Sequence, residues 1–172
     1  SWNGLMISSF SKGYEVLGDN RYLKASEKAA EFISKNLIKN KELLRRYRDG
    51  EARFSADLDD YAYLIQGLLE LYEANFDMKW IRLAEELQAM QDKKLSDPEG
   101  GYFFTAEDDP NLIRRSKEYY DGALPNSNAV SVLNLLRLYG LTFHERYDEK
   151  AKKTLESSSL FLVESRSALA RD

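Results

Sequence analysis

The stretch DLDDYAYLIQGLLELYEANFDMKWIRLAEELQAM, residues 57–90, predicts two helices separated by the short break Asn75-Phe76-Asp77. Its first half carries apolar residues on nearly every helical face and keeps its acids near the two ends. Its second half mixes apolar residues with lysines, arginines and glutamates. Because a nearly apolar helix is buried on most sides and a half-charged helix faces water, the stretch predicts an inner helix followed by an outer one.

The same hairpin pattern occurs three times along the chain. Tyr22, Trp80 and Tyr147 occupy equivalent places just after an inter-helix turn, 58 and 67 residues apart. These spacings are too long for a tetratricopeptide array, whose repeat is about 34 residues. In each repeat the first helix is poor in charge and the second is rich in it. We therefore predict an all-α fold in which three αα-hairpins form part of an (α/α) toroid.

The predicted helices cover approximately residues 4–17, 21–37, 57–72, 80–90, 125–139 and 145–161. Short β-hairpins are expected in the loops, one with its turn at Asp49-Gly50 and one from strands at 102–105 and 112–114. Residues 1–165 are assigned to one partial barrel domain, and residues 166–172 are expected to form a disordered tail.

Composition excludes several classes of function. The chain has 172 residues, a net charge of −4 and no cysteine, so disulfides, thiol catalysis and cysteine-bound metals are ruled out. It shows no basic stripe for nucleic acid, and no apolar run near the roughly 20 residues of a membrane helix. Its first residue is not methionine, and residues 2–4 lead directly into an amphipathic pattern, so we expect no signal peptide in this stretch. We expect a cytoplasmic location, and a fragment, a processed chain or a segment made for expression.

The loops that enter the inner helices carry the candidate site. In a toroid these loops meet at one end of the central cavity, and here they combine carboxylates, amides and aromatic rings, which suits a sugar-like ligand. The candidate catalytic residues, a general acid and base among them, are Asp59, Asp60 and Asp121. The candidate substrate-binding residues are Trp2, Asn3, Tyr61, Asn126 and Asn128.

An alternative explains part of this set without a ligand. Asp57, Asp59, Asp60 and Asn126 are ordinary residues for a helix N-terminus, where they satisfy free N–H groups and the helix dipole. Capping and ligand binding are compatible in one residue. The only histidine, His144, falls in an outer turn, which argues against Ser-His-Asp chemistry and histidine zinc sites. No metal and no cofactor are expected.

Several motifs occur in the order of a known family. They are Trp2-Asn3-Gly4-Leu5, Gly18-Asp19, Tyr47-Arg48-Asp49-Gly50, Leu58-Asp59-Asp60-Tyr61-Ala62, Gly100-Gly101-Tyr102-Phe103-Phe104, Tyr120-Asp121-Gly122 and Pro125-Asn126-Ser127-Asn128. Over roughly residues 1–155 the chain resembles the thioredoxin-domain-containing family of spermatogenesis-associated protein 20. The resemblance implies an N-terminal thioredoxin-like domain in the parent, then an (α/α)6 barrel of the six-hairpin glycosidase class. This chain matches a middle-to-late part of that barrel, which is also similar to N-acylglucosamine 2-epimerase and cellobiose epimerase folds.

Three functions remain open from the sequence. The first is a carbohydrate-binding or carbohydrate-processing domain, for which binding is favoured over turnover in this piece; epimerases of this architecture depend on histidines, which this chain lacks apart from His144. The second is a non-catalytic scaffold of a thioredoxin-domain-containing protein, and the third is a protein-interaction module. We also expect self-association as a homodimer, or association with the missing part of the barrel, through exposed flanks that include Leu5, Leu133 and Leu136.

Overall fold

The computed structural model describes residues 1–106 and 115–169, and within them six helices form three antiparallel hairpins. Their bounds are α1 Trp2–Leu17, α2 Asn20–Leu37, α3 Leu58–Asn75, α4 Met78–Leu95, α5 Ser127–Thr142 and α6 Glu145–Leu169. The predicted all-α class and the hairpin pairing are confirmed. Trp80 and Tyr147 are buried as expected of repeat anchors, whereas Tyr22 is only partly buried.

The odd-numbered helices form the inner layer and run parallel to one another. Near its start, α1 lies against α3 so closely that a Cβ atom on Gly67 would come within 2.6 Å of the Gly4 carbonyl oxygen. On the other side, Asn134 of α5 donates to the Ala62 carbonyl oxygen at 2.8 Å. Helix α3 therefore lies between α1 and α5, and most of its residues are buried. This central position explains why its sequence is apolar on nearly every face.

A row of ion pairs joins the C-terminal halves of the three inner helices. Lys12 of α1 lies 2.7 Å from Glu70 and 3.1 Å from Glu73 of α3. Arg137 of α5 reaches the same two glutamates at 2.8 and 2.7 Å. Lys12 also pairs with Glu15 at 3.1 Å within its own helix. We refer to Lys12, Glu15, Glu70, Glu73 and Arg137 as the ion row.

A three-stranded antiparallel sheet fills the connection between α2 and α3. Its strands are β1 Ile38–Lys39, β2 Glu42–Arg48 and β3 Glu51–Ser55, in that order. The predicted turn at Asp49-Gly50 is confirmed, with φ values of 52° and 82° that fit a two-residue hairpin loop. The first turn, at Asn40-Lys41, has φ values of 53° and 60°. Both turns bend the chain tightly, so the sheet stays close to the start of α3.

The expected strand at residues 102–105 is absent. Tyr102 forms only an isolated bridge with Ser96, because the backbone groups that follow bond to scattered partners instead of to one neighbouring strand. Phe103 N–H donates to the Leu95 carbonyl oxygen, and Phe104 N–H donates to that of Ser116. The other expected strand, at residues 112–114, lies outside the described residues.

The last helix is longer than expected, since α6 continues to Leu169 instead of ending near residue 161. The domain boundary at residue 165 stays a prediction, and residues 170–172 lie outside the described part. Leu133 and Leu136 of α5 are exposed on the open side of the inner layer, as expected, whereas Leu5 is partly buried. None of the described helices combines the length and the apolar composition that a membrane crossing requires.

Candidate functional site

Hydrogen bonds and ion pairs among charged side chains fix the first turn of α3. The Asp60 carboxylate accepts from the Asp57 N–H at 3.2 Å, which closes the first turn of the helix. Arg45 of β2 pairs with Asp57 and lies 3.5 Å from the Asp60 carboxylate. The backbone nitrogen of Ser1 contacts Asp60 as well. Asp60 is buried and fully engaged, so its role in this structure is to fix the start of α3.

Asp59, the adjacent residue, has a different environment. One of its two carboxylate oxygens is buried and has no hydrogen-bond partner within the described part of the chain. Burial raises the pKa of the Asp59 carboxyl above its ordinary value, and the neighbouring charge of Asp60 raises it further. Asp59 therefore keeps hydrogen-bonding capacity that the protein itself does not use.

Tyr63 follows Asp59 by one helical turn and connects α3 to the loop before α5. Its hydroxyl donates to the Pro125 carbonyl oxygen at 2.5 Å. Burial raises the pKa of Tyr63 to about 12, and the charges of Asp59 and Asp121 raise it as well. Asp59 and Asn126 line the same cavity, and Asp121 bonds to Asn126, so Asp59 and Asp121 lie on the same side of the molecule. The hydroxyl stays protonated near neutral pH and remains a hydrogen-bond donor.

The loop before α5 is organised by Asp121 and Asn126. The Asp121 carboxylate accepts from the Asn126 N–H at 2.7 Å. The Asn126 side-chain oxygen accepts from the Ala129 N–H at 3.0 Å and caps α5, while its amide group donates to the Glu118 carbonyl oxygen at 2.9 Å. The expected capping function of Asn126 is therefore present in the structure.

A cavity of about 360 Å³ opens between the start of α3 and this loop. Its walls include Asp59, Tyr63, Phe104, Glu118, Tyr120 and Asn126. The arrangement places carboxylate, amide and phenol groups beside aromatic rings, in a volume that suits a small polar ligand with apolar faces. Among the described residues, polar groups from the N-terminal ends of α3 and α5 meet at this cavity.

The other predicted site residues lie elsewhere. Tyr61 is fully buried, and its hydroxyl accepts from the Leu43 N–H at 3.3 Å. Asn128 is buried too, and holds the Tyr102 backbone through bonds of 2.8 and 3.0 Å. Asn3 faces a separate groove of about 530 Å³ beside Arg45 and α2. Trp2 is 70% exposed at the start of α1. Of the predicted site residues, Asp59 and Asn126 line the cavity, and Asp121 lies beside it through its bond to Asn126. The others do not line it, namely Trp2, Asn3, Asp60, Tyr61 and Asn128.

Tyr63, Glu118 and Arg45 are parts of this region that the sequence reasoning did not select. Tyr63 had a usable signal, because residues four apart share a helical face and Asp59 was already a candidate. Glu118 and Arg45 had none, since their places depend on how the loop and the sheet fold back.

The acidic cluster could also attract a cation. Asp57, Asp59 and Asp60 each place one oxygen within 4.8 Å of the others. Arg45, however, already pairs with Asp57 and approaches Asp60, and so supplies the positive charge that a metal would bring. Arg45 therefore neutralises Asp57 and Asp60, and Asp59 is the one acid of the cluster that it does not pair with. This arrangement does not fit a metal centre.

No family model matches the chain. Parts of longer proteins are nevertheless similar to it in sequence. An uncharacterized protein of Caenorhabditis elegans is 37% identical over 167 residues, covering 92% of this chain and 23% of that protein. Spermatogenesis-associated protein 20 of Homo sapiens is 35% identical over 162 residues, covering 87% of this chain and 21% of that protein.

Over most of its length the chain is a homologue of part of spermatogenesis-associated protein 20. It spans about one fifth of the length of the curated relatives it matches. The expected family resemblance is thereby confirmed for this part of the protein.

Solved structures with the same fold are six-hairpin glycosidase-like enzymes. A GH76 α-mannanase of Bacteroides thetaiotaomicron matches with a TM-score of 0.68 and 18% identity, over 91% of this chain and 42% of that chain. Cellobiose 2-epimerase of Spirochaeta thermophila matches with a TM-score of 0.67 and 20% identity, over 88% of this chain and 40% of that chain. An α-1,6-mannanase variant of Salegentibacter sp., in complex with α-1,6-mannotetrose, matches with a TM-score of 0.64 and 16% identity. The match covers 90% of this chain and 46% of that chain. The chain is therefore part of an (α/α)6 toroid.

Proposed function

We propose that the cavity at the start of α3 and α5 is a carbohydrate-binding site of the family's six-hairpin barrel. The observation that carries this proposal is Asp59, which lines the cavity and has one buried carboxylate oxygen without a hydrogen-bond partner among the described residues. A buried polar atom without a partner destabilises the fold by about 1–3 kcal/mol, so its presence fits a group reserved for a ligand.

The chemistry of the walls supports a sugar more than other ligands. A carboxylate accepts hydrogen bonds from hydroxyl groups, and the rings of Phe104 and Tyr120 offer flat apolar surfaces for the C–H faces of a pyranose. The proteins of similar fold also support a sugar ligand, because the Salegentibacter mannanase binds a mannose oligosaccharide.

The inactive form of that mannanase has two consecutive aspartates replaced. This chain carries the consecutive pair Asp59 and Asp60 at the start of its central inner helix. We propose that the pair divides its tasks: Asp60 pairs with Arg45 and fixes the start of α3, and Asp59 contacts the ligand. A raised pKa suits Asp59 to donating a proton in the complete barrel, where general-acid chemistry needs such a group. Asp121 shapes the loop through its bond to Asn126.

A purely structural role for this rim is the second candidate. It is favoured by the number of polar side chains that are already engaged within the protein, namely Asp60, Asn126 and Asn128. In that case the chain is a scaffold whose polar rim only caps helices. The two candidate functions make different predictions for Asp59, since one of its oxygens makes no hydrogen bond that would stabilise the described part of the chain.

Titration calorimetry separates them. We expect the chain to bind an α-1,6-linked mannose oligosaccharide or cellobiose weakly, and Asp59→Asn to reduce the affinity at least tenfold. Asp77→Asn is the control, because Asp77 is also an acid at the start of a helix, where it caps α4, but lies outside the cavity. Binding that survives Asp59→Asn unchanged, or no binding to either sugar, would leave the scaffold role.

A further inference from the structure

All three inner helices end in the same unusual backbone conformation. The residues after α1, α3 and α5 are Gly18, Phe76 and Phe143, with φ values of 67°, 57° and 57°. Each of them donates its N–H to the carbonyl oxygen of a tyrosine four residues earlier, at 2.6–2.8 Å. The left-handed region is natural for glycine and unfavourable for a bulky side chain. The first hairpin uses glycine, and the other two place a phenylalanine there.

Burial of the ring does not offset this unfavourable conformation at either phenylalanine. Phe76 is 74% exposed and Phe143 is 77% exposed, although Phe76 has an edge contact with Tyr72 at 6.0 Å between ring centroids. A large ring held in an unfavourable conformation and left in water serves no purpose in the isolated fold. Strained positions of this kind gather where a protein meets another molecule.

The two rings lie at the same end of the inner layer as other exposed apolar side chains. Val16 lies one helical turn beyond Lys12, Phe76 lies three residues beyond Glu73, and Leu141 lies one turn beyond Arg137. Since Lys12 and Arg137 both contact Glu73 in the ion row, the residues one turn further on lie at the same end of the three helices. We define the end face as the exposed side chains that continue this row: Val16, Leu17, Phe76, Leu141 and Phe143.

The rest of the toroid would not cover this face. Further hairpins of an (α/α)6 toroid pack beside α1 and α5, where Leu133 and Leu136 are exposed. The end face lies at the C-terminal ends of the inner helices, at right angles to those flanks. A different occupant is needed.

We propose that the end face binds a second copy of this chain in a two-fold symmetric contact. Its area fits, because two phenylalanines that are three-quarters exposed supply roughly 300 Å², to which the three aliphatic side chains add. A standard interface buries about 800 Å² on each partner, of which just over half is apolar. A symmetric contact also requires a surface that matches itself.

The charges around the face fit a second copy better than an anionic surface or an acidic partner. They occur as neighbouring opposite pairs, with Arg21 2.6 Å from Asp19 and Lys79 3.2 Å from Asp77. Lys12 is likewise paired with Glu15. A balanced border does not repel its own image, whereas a membrane or an acidic peptide would need an excess of positive charge.

Light scattering on the 172-residue chain tests the proposal. We expect the mass to rise from that of the 19.9 kDa monomer towards twice this value between about 1 and 200 µM. The double variant Phe76→Gly/Phe143→Gly should stay monomeric over the same range. Its melting temperature should be unchanged or higher, because glycine suits the left-handed positions. A structural role for the rings would lower it instead.

Leu133→Ser/Leu136→Ser is the control, since it alters the flank of the toroid and leaves the end face intact. This variant should still dimerise. The proposal is overturned if the wild-type chain is monomeric throughout, if the flank variant alone abolishes the dimer, or if the glycine variant still dimerises.

Discussion

The two ends of the inner helices are built from the same three segments and have opposite chemistry. At the C-terminal end, the ion row pairs each charged group, and Glu70 and Glu73 of α3 are held from both sides by Lys12 and Arg137. At the N-terminal end, Arg45 pairs with Asp57 and approaches Asp60, but Asp59 keeps one buried oxygen without a partner.

The helix dipole explains why the two ends need different support. Acids at the start of α3 are favoured by the dipole, whereas acids in its last turns are not. Glu70 and Glu73 therefore depend on cations from the neighbouring helices. At the start of α3, the dipole offsets part of the penalty for burying the one Asp59 oxygen that has no hydrogen-bond partner. One end of the layer is stabilised by pairing, and the other keeps a free acid beside a cavity.

Trp80→Ala should have the largest effect, since Trp80 is a large side chain in the hydrophobic core that the outer and inner helices share. Trp80 is buried, and its removal should lower the free energy of unfolding by about 3–5 kcal/mol. Trp2→Ala is the matched control and should change it by less than about 0.5 kcal/mol, because Trp2 is exposed. Urea denaturation measures both. Equal effects would show that the outer helix does not support the inner layer.

Gly67→Ala should be nearly as severe, because it acts where α1 and α3 cross between the two ends. The added methyl group would meet the Gly4 carbonyl oxygen at 2.6 Å, and backbone cannot move aside easily. We expect a loss of about 3 kcal/mol, at the upper end for overpacking. Gly140→Ala is the control in α5, where nothing lies within 4 Å, and should stabilise by about 0.5–1 kcal/mol. A neutral Gly67→Ala would mean that the helices separate without penalty.

The crossing also shows what the sequence can and cannot predict. Helical periodicity and charge density identified the hairpins and the inner layer, because those signals are local. The contact of Gly4 with α3 depends on two segments some 60 residues apart and left no local signal. The same holds for Arg45 at the candidate site. Residues 102–105 were misread as a strand because their β-branched and aromatic pattern is local, while their actual partners, Leu95 and Ser116, are not.

Arg137→Met should break the C-terminal end alone. The Arg137 side chain is only 17% exposed, and its loss leaves buried Glu70 with Lys12 as its single partner in the ion row. We expect destabilisation by about 2 kcal/mol, within the range for hydrogen bonds to charged groups. Arg21→Met is the control, because the Arg21–Asp19 pair is exposed and such pairs contribute about 0–1 kcal/mol. Similar losses in both variants would contradict a stabilising role specific to the ion row.

The smallest effects should be the most informative, because they have opposite signs at the two ends. Hydrogen bonds from Arg137 and Lys12 hold the pKa of Glu73 below its ordinary value, although burial acts the other way. Glu73 therefore stabilises the fold above its unfolded pKa, and this stability is lost as the pH falls through the lower folded pKa. Glu73→Gln should destabilise at pH 7, and this loss should shrink towards pH 3.

Asp59 should behave in the reverse way. Burial and the charge of Asp60 raise the pKa of Asp59, so its contribution is most favourable below its unfolded pKa and declines as the pH rises through the folded one. Asp59→Asn should therefore stabilise at pH 7 by roughly 0.5–1 kcal/mol, the lower part of the range for stabilising substitutions. Thermal unfolding from pH 3 to pH 7 measures both variants. If Asp59→Asn destabilises at pH 7, the carboxylate has a structural partner and the N-terminal end is stabilised by pairing just as the C-terminal end is. A stabilising Asp59→Asn that also abolishes sugar binding would instead tie the free acid to the ligand, since a group kept at the expense of stability is one that function requires.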